Sequence, residues 1–169
     1  GFSYHPRFWQ QTVKRFRGHY CLSGDATVLD VGCAKGYMLH DFKSLMPDLT
    51  VSGIDISEYA IEEAIESVKP YLRVGDAKDL PYADNSFDLV ISINTVHNLP
   101  MEECKQALRE LQRVSRKFSF LTVDAWRNED ERARMLKWNL TALTYMQVDE
   151  WENLFHEVGY QGDYYWFIA

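Results

Sequence analysis

Paired cysteines are missing from this sequence. Cys21, Cys33 and Cys104 are odd in number and widely spaced, and none sits in a C-x-x-C pair. This argues against a disulfide framework or a zinc site and points to a reducing compartment, the cytoplasm. No metal ligand set is expected. Long apolar runs are missing too, and no signal peptide opens the chain, so no membrane partner is expected. Internal repeats and low-complexity tracts are absent. Acids are absent from the first twenty residues, where Arg7, Lys14, Arg15 and Arg17 give +4; with −7 on the whole chain, the remainder carries −11. Such an acidic body repels a phosphate backbone, which excludes nucleic acid as the expected partner. The basic segment reads as a solvated helix face, with a lid meeting an anionic group as the alternative.

What is present is an alternation of strand and helix patterns along 169 residues, enough for a single domain, 1–169. TVLDV (27–31), VSGID (51–55), YLRVGDA (71–77), FDLVISI (87–93) and KFSFLTVDA (117–125) read as strands. YMLHDFKSLM (37–46), SEYAIEEAIESV (57–68), MEECKQALRELQRV (101–114) and DEWENLFHEVG (149–159) read as helices with one apolar stripe each. FDLVISI is apolar almost throughout, as expected of a strand covered on both faces. The alternation predicts an α/β fold: a three-layer, doubly wound, mostly parallel sheet. In such sheets a ligand lies at the carboxyl ends of the strands, where strand order reverses, so the loop after Val31 is the place to look.

That loop, DVGCAKG, runs from Asp30 to Gly36. Gly32 allows a sharp exit from the strand, and Gly36 allows the helix start to approach a ligand. Free amides there favour electron-rich ligand groups. The dinucleotide pattern G-x-G-x-x-G is not matched, because Ala34 stands at its middle position, and a pyrophosphate is a poor fit. Asp55 ends the second strand, 25 residues beyond Asp30, where an acid can hold the two hydroxyls of a ribose. Asp76 ends the third strand, where it can accept from an exocyclic amine. Three acids at three successive strand ends describe an adenosine with a polar, cationic tail.

The segment from Asp76 to Asp88, DAKDLPYADNSFD, together with the loop and Asp55, resembles the class I S-adenosylmethionine-dependent methyltransferases, within the small-molecule group of the methyltransferase type 11 kind. The resemblance covers about Thr27 to Asp124. It implies a Rossmann-like fold with S-adenosylmethionine as cofactor and S-adenosylhomocysteine as product. It implies that Asp30, Gly32, Cys33, Ala34 and Gly36 pass the methionine part and that Asp55 holds the ribose. Ile56 would flank the adenine, Asp76 and Ala77 would read its edge, and Asn94 would approach the sulfonium or amino-acid end. The sequence departs from the family at Ala34, where glycine is usual, and at the C-terminus. There YYWFIA (164–169) supplies one closing strand instead of two, so six strands and a shortened edge are expected.

Methyl transfer needs alignment of the acceptor above all, and a hydroxyl or amine acceptor also loses a proton. His97, in NTVHN beyond the fourth strand, is the leading candidate for the base, with a cap or a structural hydrogen bond as the alternative. Asp124 is the second candidate. His40 reads as structural, and His5, His19 and His156 carry no assigned role. The N-P-P-[YF] run of relatives that act on amide or adenine nitrogens is absent. A small-molecule hydroxyl acceptor, a sugar or other polar metabolite, is therefore expected, with an amine or carboxylate still open. Residues 1–22 are expected to form a helical lid or cover, and 126–146 an insertion folding over the ends of strands four and five, with a simple cover for the sheet edge as the alternative. An inactive cofactor-binding scaffold serving a partner protein is the alternative function, and a nicotinamide-dependent oxidoreductase the third.

Overall fold

The computed structural model describes residues 3–169; Gly1 and Phe2, within the segment expected to form a lid, lie outside the described residues. Among the described residues, thirteen regular elements follow in the order α1 (Pro6–His19), β1 (Thr27–Val31), α2 (Tyr37–Leu45), β2 (Thr50–Asp55), α3 (Glu58–Glu62), β3 (Leu72–Val74), β4 (Phe87–Ile93), α4 (Met101–Val114), β5 (Ser115–Trp126), α5 (Glu129–Trp138), β6 (Met146–Gln147), α6 (Val148–Val158) and β7 (Asp163–Phe167), with two short 3-10 turns besides. No helix among the described residues is long and apolar enough to cross a membrane, and no cluster of metal-ligating side chains occurs among them.

The strands form one sheet in the order β3-β2-β1-β4-β5-β6, with β7 also paired to β5. Every one of these pairings is parallel. Seven strands among the described residues replace the expected six because the two-residue β6 pairs with Ala125 and Trp126, beyond the stretch of β5 that β7 occupies. Strand order reverses between β1 and β4, which opens the crevice where a ligand belongs.

Alternate side chains of the central strands feed two cores. Leu29, Val31 and Val90 face α4 and α6, where Leu108, Leu111 and Trp151 are buried. Val28, Leu89 and Ile91 face α1 and α2, where Val13, Phe16 and Phe42 pack. The apolar stripe of α1 is thus divided: Val13 and Phe16 are buried, while Phe8 is exposed.

The second helix pattern falls short of its expected length. Ser57 caps α3 as expected, accepting the Ala60 N–H at 3.2 Å. The helix ends at Glu62, and beyond it the Ile65 N–H donates to the Lys35 carbonyl of the β1–α2 loop at 3.0 Å. A tertiary hydrogen bond replaces the helical one. β3 is also shorter, and Asp76 and Ala77 stand in the loop after it. That loop is pinned from below: Arg113 donates to the carbonyls of Tyr82 (2.8 Å) and Leu80 (3.0 Å), and Glu110 accepts the Leu80 N–H (2.8 Å).

Candidate functional site

Gly32 leaves β1 with φ +84°, and a side chain there would collide with Thr95. The Gly32 and Cys33 N–H groups both donate to the Ile54 carbonyl, at 2.8 and 3.1 Å, and Gly36 N–H returns to the Cys33 carbonyl at 2.9 Å. These three loop amides are closed on the protein itself. Gly36, also at positive φ, departs from its expected role. A Cβ there would collide with the side chains of Val68 and Leu72, so this glycine serves packing and not ligand approach.

Ala34 holds φ +46°, in the left-handed region that disfavours a side chain. What holds it there is Asp55. Its Oδ2 accepts the Ala34 N–H at 2.8 Å, and its Oδ1 accepts the Ser57 N–H at 2.9 Å. A carboxylate oxygen has two lone-pair directions, so both oxygens keep acceptor capacity for a ligand. Ala34→Gly should relieve the backbone and raise unfolding stability by about 1 kcal/mol. Chemical denaturation of both proteins checks this, and an unchanged or lower stability contradicts it.

Asp55 opens into a cavity of about 450 Å³ at the strand-order reversal. Gly32 and Asn94 line it at the β1–β4 crevice, Ile56 stands beside Asp55, and Asp76 with Ala77 forms the far side. These six are among the residues the sequence singled out. Asp76 is oriented by its own loop: its Oδ1 accepts the Lys78 N–H at 3.0 Å, and Lys78 Nζ lies 3.4 Å from Oδ2 while bonding Glu103 at 2.6 Å. Asp30, Cys33, Ala34 and Gly36 do not line the cavity. Asp30 is buried, and burial with the nearby Asp55 charge raises its pKa to about 8. Cys33 is buried as well, and burial raises its thiol pKa further above the ordinary range.

His97 lies in the short turn after β4 and is 3% exposed, and it does not line the cavity. Its Nδ1 accepts the Asp124 N–H at 2.9 Å, which puts the proton of the neutral ring on Nε2. Burial lowers its pKa to about 4. Both features oppose proton uptake at neutral pH. The His97 carbonyl also accepts the Leu143 and Thr144 N–H groups, at 2.9 Å each, and Thr144 Oγ1 donates to the Leu99 carbonyl at 2.8 Å. The 126–146 segment is therefore fastened to the turn after β4. The buried Asp124 carboxyl has its pKa raised by burial, and its carbonyl accepts from Trp151 Nε1 at 3.0 Å.

Two residues of the site carried no signal in the sequence. Thr95 fills the space that Gly32 leaves open. Thr122, on β5, orients Asn94: its Oγ1 accepts the Asn94 N–H at 2.9 Å and donates to Asn94 Oδ1 at 2.6 Å. Asn94 itself sits at φ +51°, which asparagine tolerates better than most residues. Only strand register brings positions 94 and 122 together.

The donor and acceptor set suits an adenosine. The Asp55 acceptors match a pair of ribose hydroxyls, Asp76 matches an exocyclic amine, and apolar Ile56 suits the face of a base. Comparison with known proteins points the same way. A family described as a methyltransferase domain matches residues 22–167. The tRNA (carboxymethyluridine(34)-5-O)-methyltransferase of Arabidopsis thaliana is 35% identical over 132 residues, 77% of this chain and 31% of that protein. The ajmaline N-methyltransferase of Rauvolfia serpentina is 38% identical over 97 residues, 52% of this chain and 32% of that protein. The chain thus spans about a third of the length of these two relatives. The crystal structure of the YcgJ protein from Bacillus subtilis superposes with a TM-score of 0.69 at 19% identity, covering 88% of this chain and 67% of that one, a likeness of fold.

Proposed function

This chain belongs to the methyltransferase domain family, whose methyl donor is S-adenosylmethionine, and on that premise we propose that it methylates the hydroxyl of a small molecule. The observation that carries the donor side is the 450 Å³ cavity that gathers Gly32, Asp55, Ile56, Asp76, Ala77 and Asn94 at the strand-order reversal. When bound, the donor would supply an electrophilic methyl group for transfer to the acceptor oxygen, its sulfur keeping the electron pair of the bond given up.

The chain's own task is then to bind, orient and exclude water. Asp55 would hold the ribose with a carboxylate already aligned by two backbone N–H groups. Asp76 and Ala77 would read the base edge, and Asn94, fixed by Thr122, would face the methionine end. His97 would act as a positioning residue rather than a base. It fastens the turn after β4, and no lone pair on its ring is free while Nδ1 accepts from Asp124. The acceptor proton would leave to bulk solvent.

The relatives' names divide over the acceptor. The plant relative named for a tRNA favours a nucleic acid, and the acidic balance of this chain, −7, opposes it. Incubation with methyl-labelled donor decides. Label transferred to hydroxylated small molecules supports the proposal. Label in acid-precipitable tRNA would overturn its acceptor, and donor binding with no transfer to either would favour the inactive scaffold.

A further inference from the structure

A second, larger cavity of about 990 Å³ lies between α1 and the β5–β7 part of the sheet. One wall is the face of α1 that carries Trp9, Thr12, Arg15 and Phe16 at helical spacing. The floor carries Phe120 and Thr122 of β5, with Tyr165 of β7 beside Thr122 in the strand register. This groove meets the cofactor cavity at Ile93, which lines both. The connection is mechanical as well: Thr122, in the groove floor, is the residue that orients Asn94 in the cofactor cavity.

We infer that this groove receives the methyl acceptor, and that the acceptor is a planar, hydroxylated aromatic molecule bearing an anionic group. The inference rests on the methyl-transfer reading and sharpens it, replacing the sugar expected from the sequence. A sugar carries a hydroxyl on nearly every carbon and needs a comparable number of polar partners. The polar side chains of the groove are largely engaged already. Asp163 accepts from Tyr20 at 2.9 Å and lies 3.1 Å from His19 Nε2, and Thr122 is bonded to Asn94. What the groove offers instead is ring surface: Trp9, Phe16, Phe120 and Tyr165 present apolar faces and edges to a flat ligand. Its volume lies within the range of small-molecule sites.

The anionic group follows from Arg15. This guanidinium lines the groove and has no ion-pair partner among the described residues, and no acid lies within α1 to neutralise it. A carboxylate or similar oxyanion at that end would orient the ring, with the reacting hydroxyl directed toward Ile93 and Asn94.

The test is ligand-observed NMR and calorimetry with a panel of hydroxylated one-, two- and three-ring aromatic carboxylates, such as 3-hydroxy-2-naphthoate, beside sugars of similar mass. Wild type, Trp9→Ala and Arg15→Gln are compared, each also titrated with S-adenosylhomocysteine. The expected result is saturable binding of at least one aromatic carboxylate and of no sugar. Trp9→Ala should weaken it about tenfold and Arg15→Gln about threefold to tenfold, with S-adenosylhomocysteine affinity unchanged in both. Normal S-adenosylhomocysteine binding with sugars preferred, with no aromatic bound, or with aromatic binding indifferent to both substitutions would overturn the inference and leave the donor site standing. Loss of S-adenosylhomocysteine binding in the wild type would instead count against methyl transfer itself.

Discussion

Asp55→Ala should weaken S-adenosylhomocysteine binding by about 100-fold, the equivalent of about 3 kcal/mol. Two effects add. The ribose hydroxyls lose a charged acceptor, and hydrogen bonds to charged groups are worth about 1.5–3 kcal/mol each. The Ala34 and Ser57 N–H groups, at 2.8 and 2.9 Å from the carboxylate, lose their shared partner. Ala34, already at φ +46°, then has nothing on Asp55 to hold it in the left-handed region. Asp55→Asn should fall between the two. An amide offers one acceptor oxygen and turns its NH₂ toward the other backbone donor. Calorimetric titration of the three proteins, with circular dichroism to establish that each is folded, reads the outcome. Wild-type affinity in the alanine variant would show that Asp55 shapes the loop without touching the ligand.

The second large effect lies at His97 and concerns stability. His97→Ala removes a buried ring and leaves the Asp124 N–H unpaired, which should cost about 3 kcal/mol. His97→Gln keeps an acceptor within reach of that N–H and should recover part of the loss. Titration separates the two proteins further. Burial lowers the His97 pKa from 6.5 to about 4, so between these values the unfolded chain takes up a proton that the folded chain refuses. The stability carried by the neutral ring is complete above pH 6.5, is lost as the pH falls through the window, and changes no further below about 4. The loss amounts to about 3 kcal/mol at most. Denaturant unfolding from about pH 7.5 to about pH 4.5 should therefore show the advantage of wild type over His97→Gln shrinking as the pH falls. The raised pKa of Asp30 acts in both proteins and largely cancels in the comparison. Activity gives a separate reading. If the ring positions the turn and does not accept a proton, His97→Gln should keep most of its rate; a loss of about 100-fold or more with the fold intact would restore the general base.

The sequence reveals those features that a local pattern encodes. The helix over 101–114 is bounded as its stripe of Cys104, Ala107, Leu108 and Leu111 predicts, and all four are buried. Asn128 and Glu131, three residues apart, are a local capping pattern, and the Asn128 side-chain oxygen accepts the Glu131 N–H at 3.0 Å. Asp55 and Asp76 reach one cavity because parallel strands bring their carboxyl ends to one edge of the sheet. Features set by contacts between distant residues were hidden. The 57–68 pattern keeps its apolar spacing to Val68, yet the Lys35 carbonyl draws the Ile65 N–H out of the helix. Gly36 looks like a ligand-facing glycine and packs on Val68 and Leu72. Thr95 and Thr122 carry no motif, and their roles exist only once β1, β4 and β5 are in register. The aromatic ends of the chain, spread over residues 8–20 and 160–167, make a groove only because β7 lies parallel beside β5 and under α1.

The central claim is that the crevice at the β1–β4 reversal is an S-adenosylmethionine site. The most direct measurement is calorimetric titration of the wild-type protein with S-adenosylhomocysteine, with NAD under the same conditions. Saturable one-to-one binding of S-adenosylhomocysteine in the micromolar range and no heat from NAD is the predicted result. Preferential binding of NAD would contradict the account and bring back a nicotinamide-dependent reaction, and binding of neither would remove the donor site on which the proposed function stands.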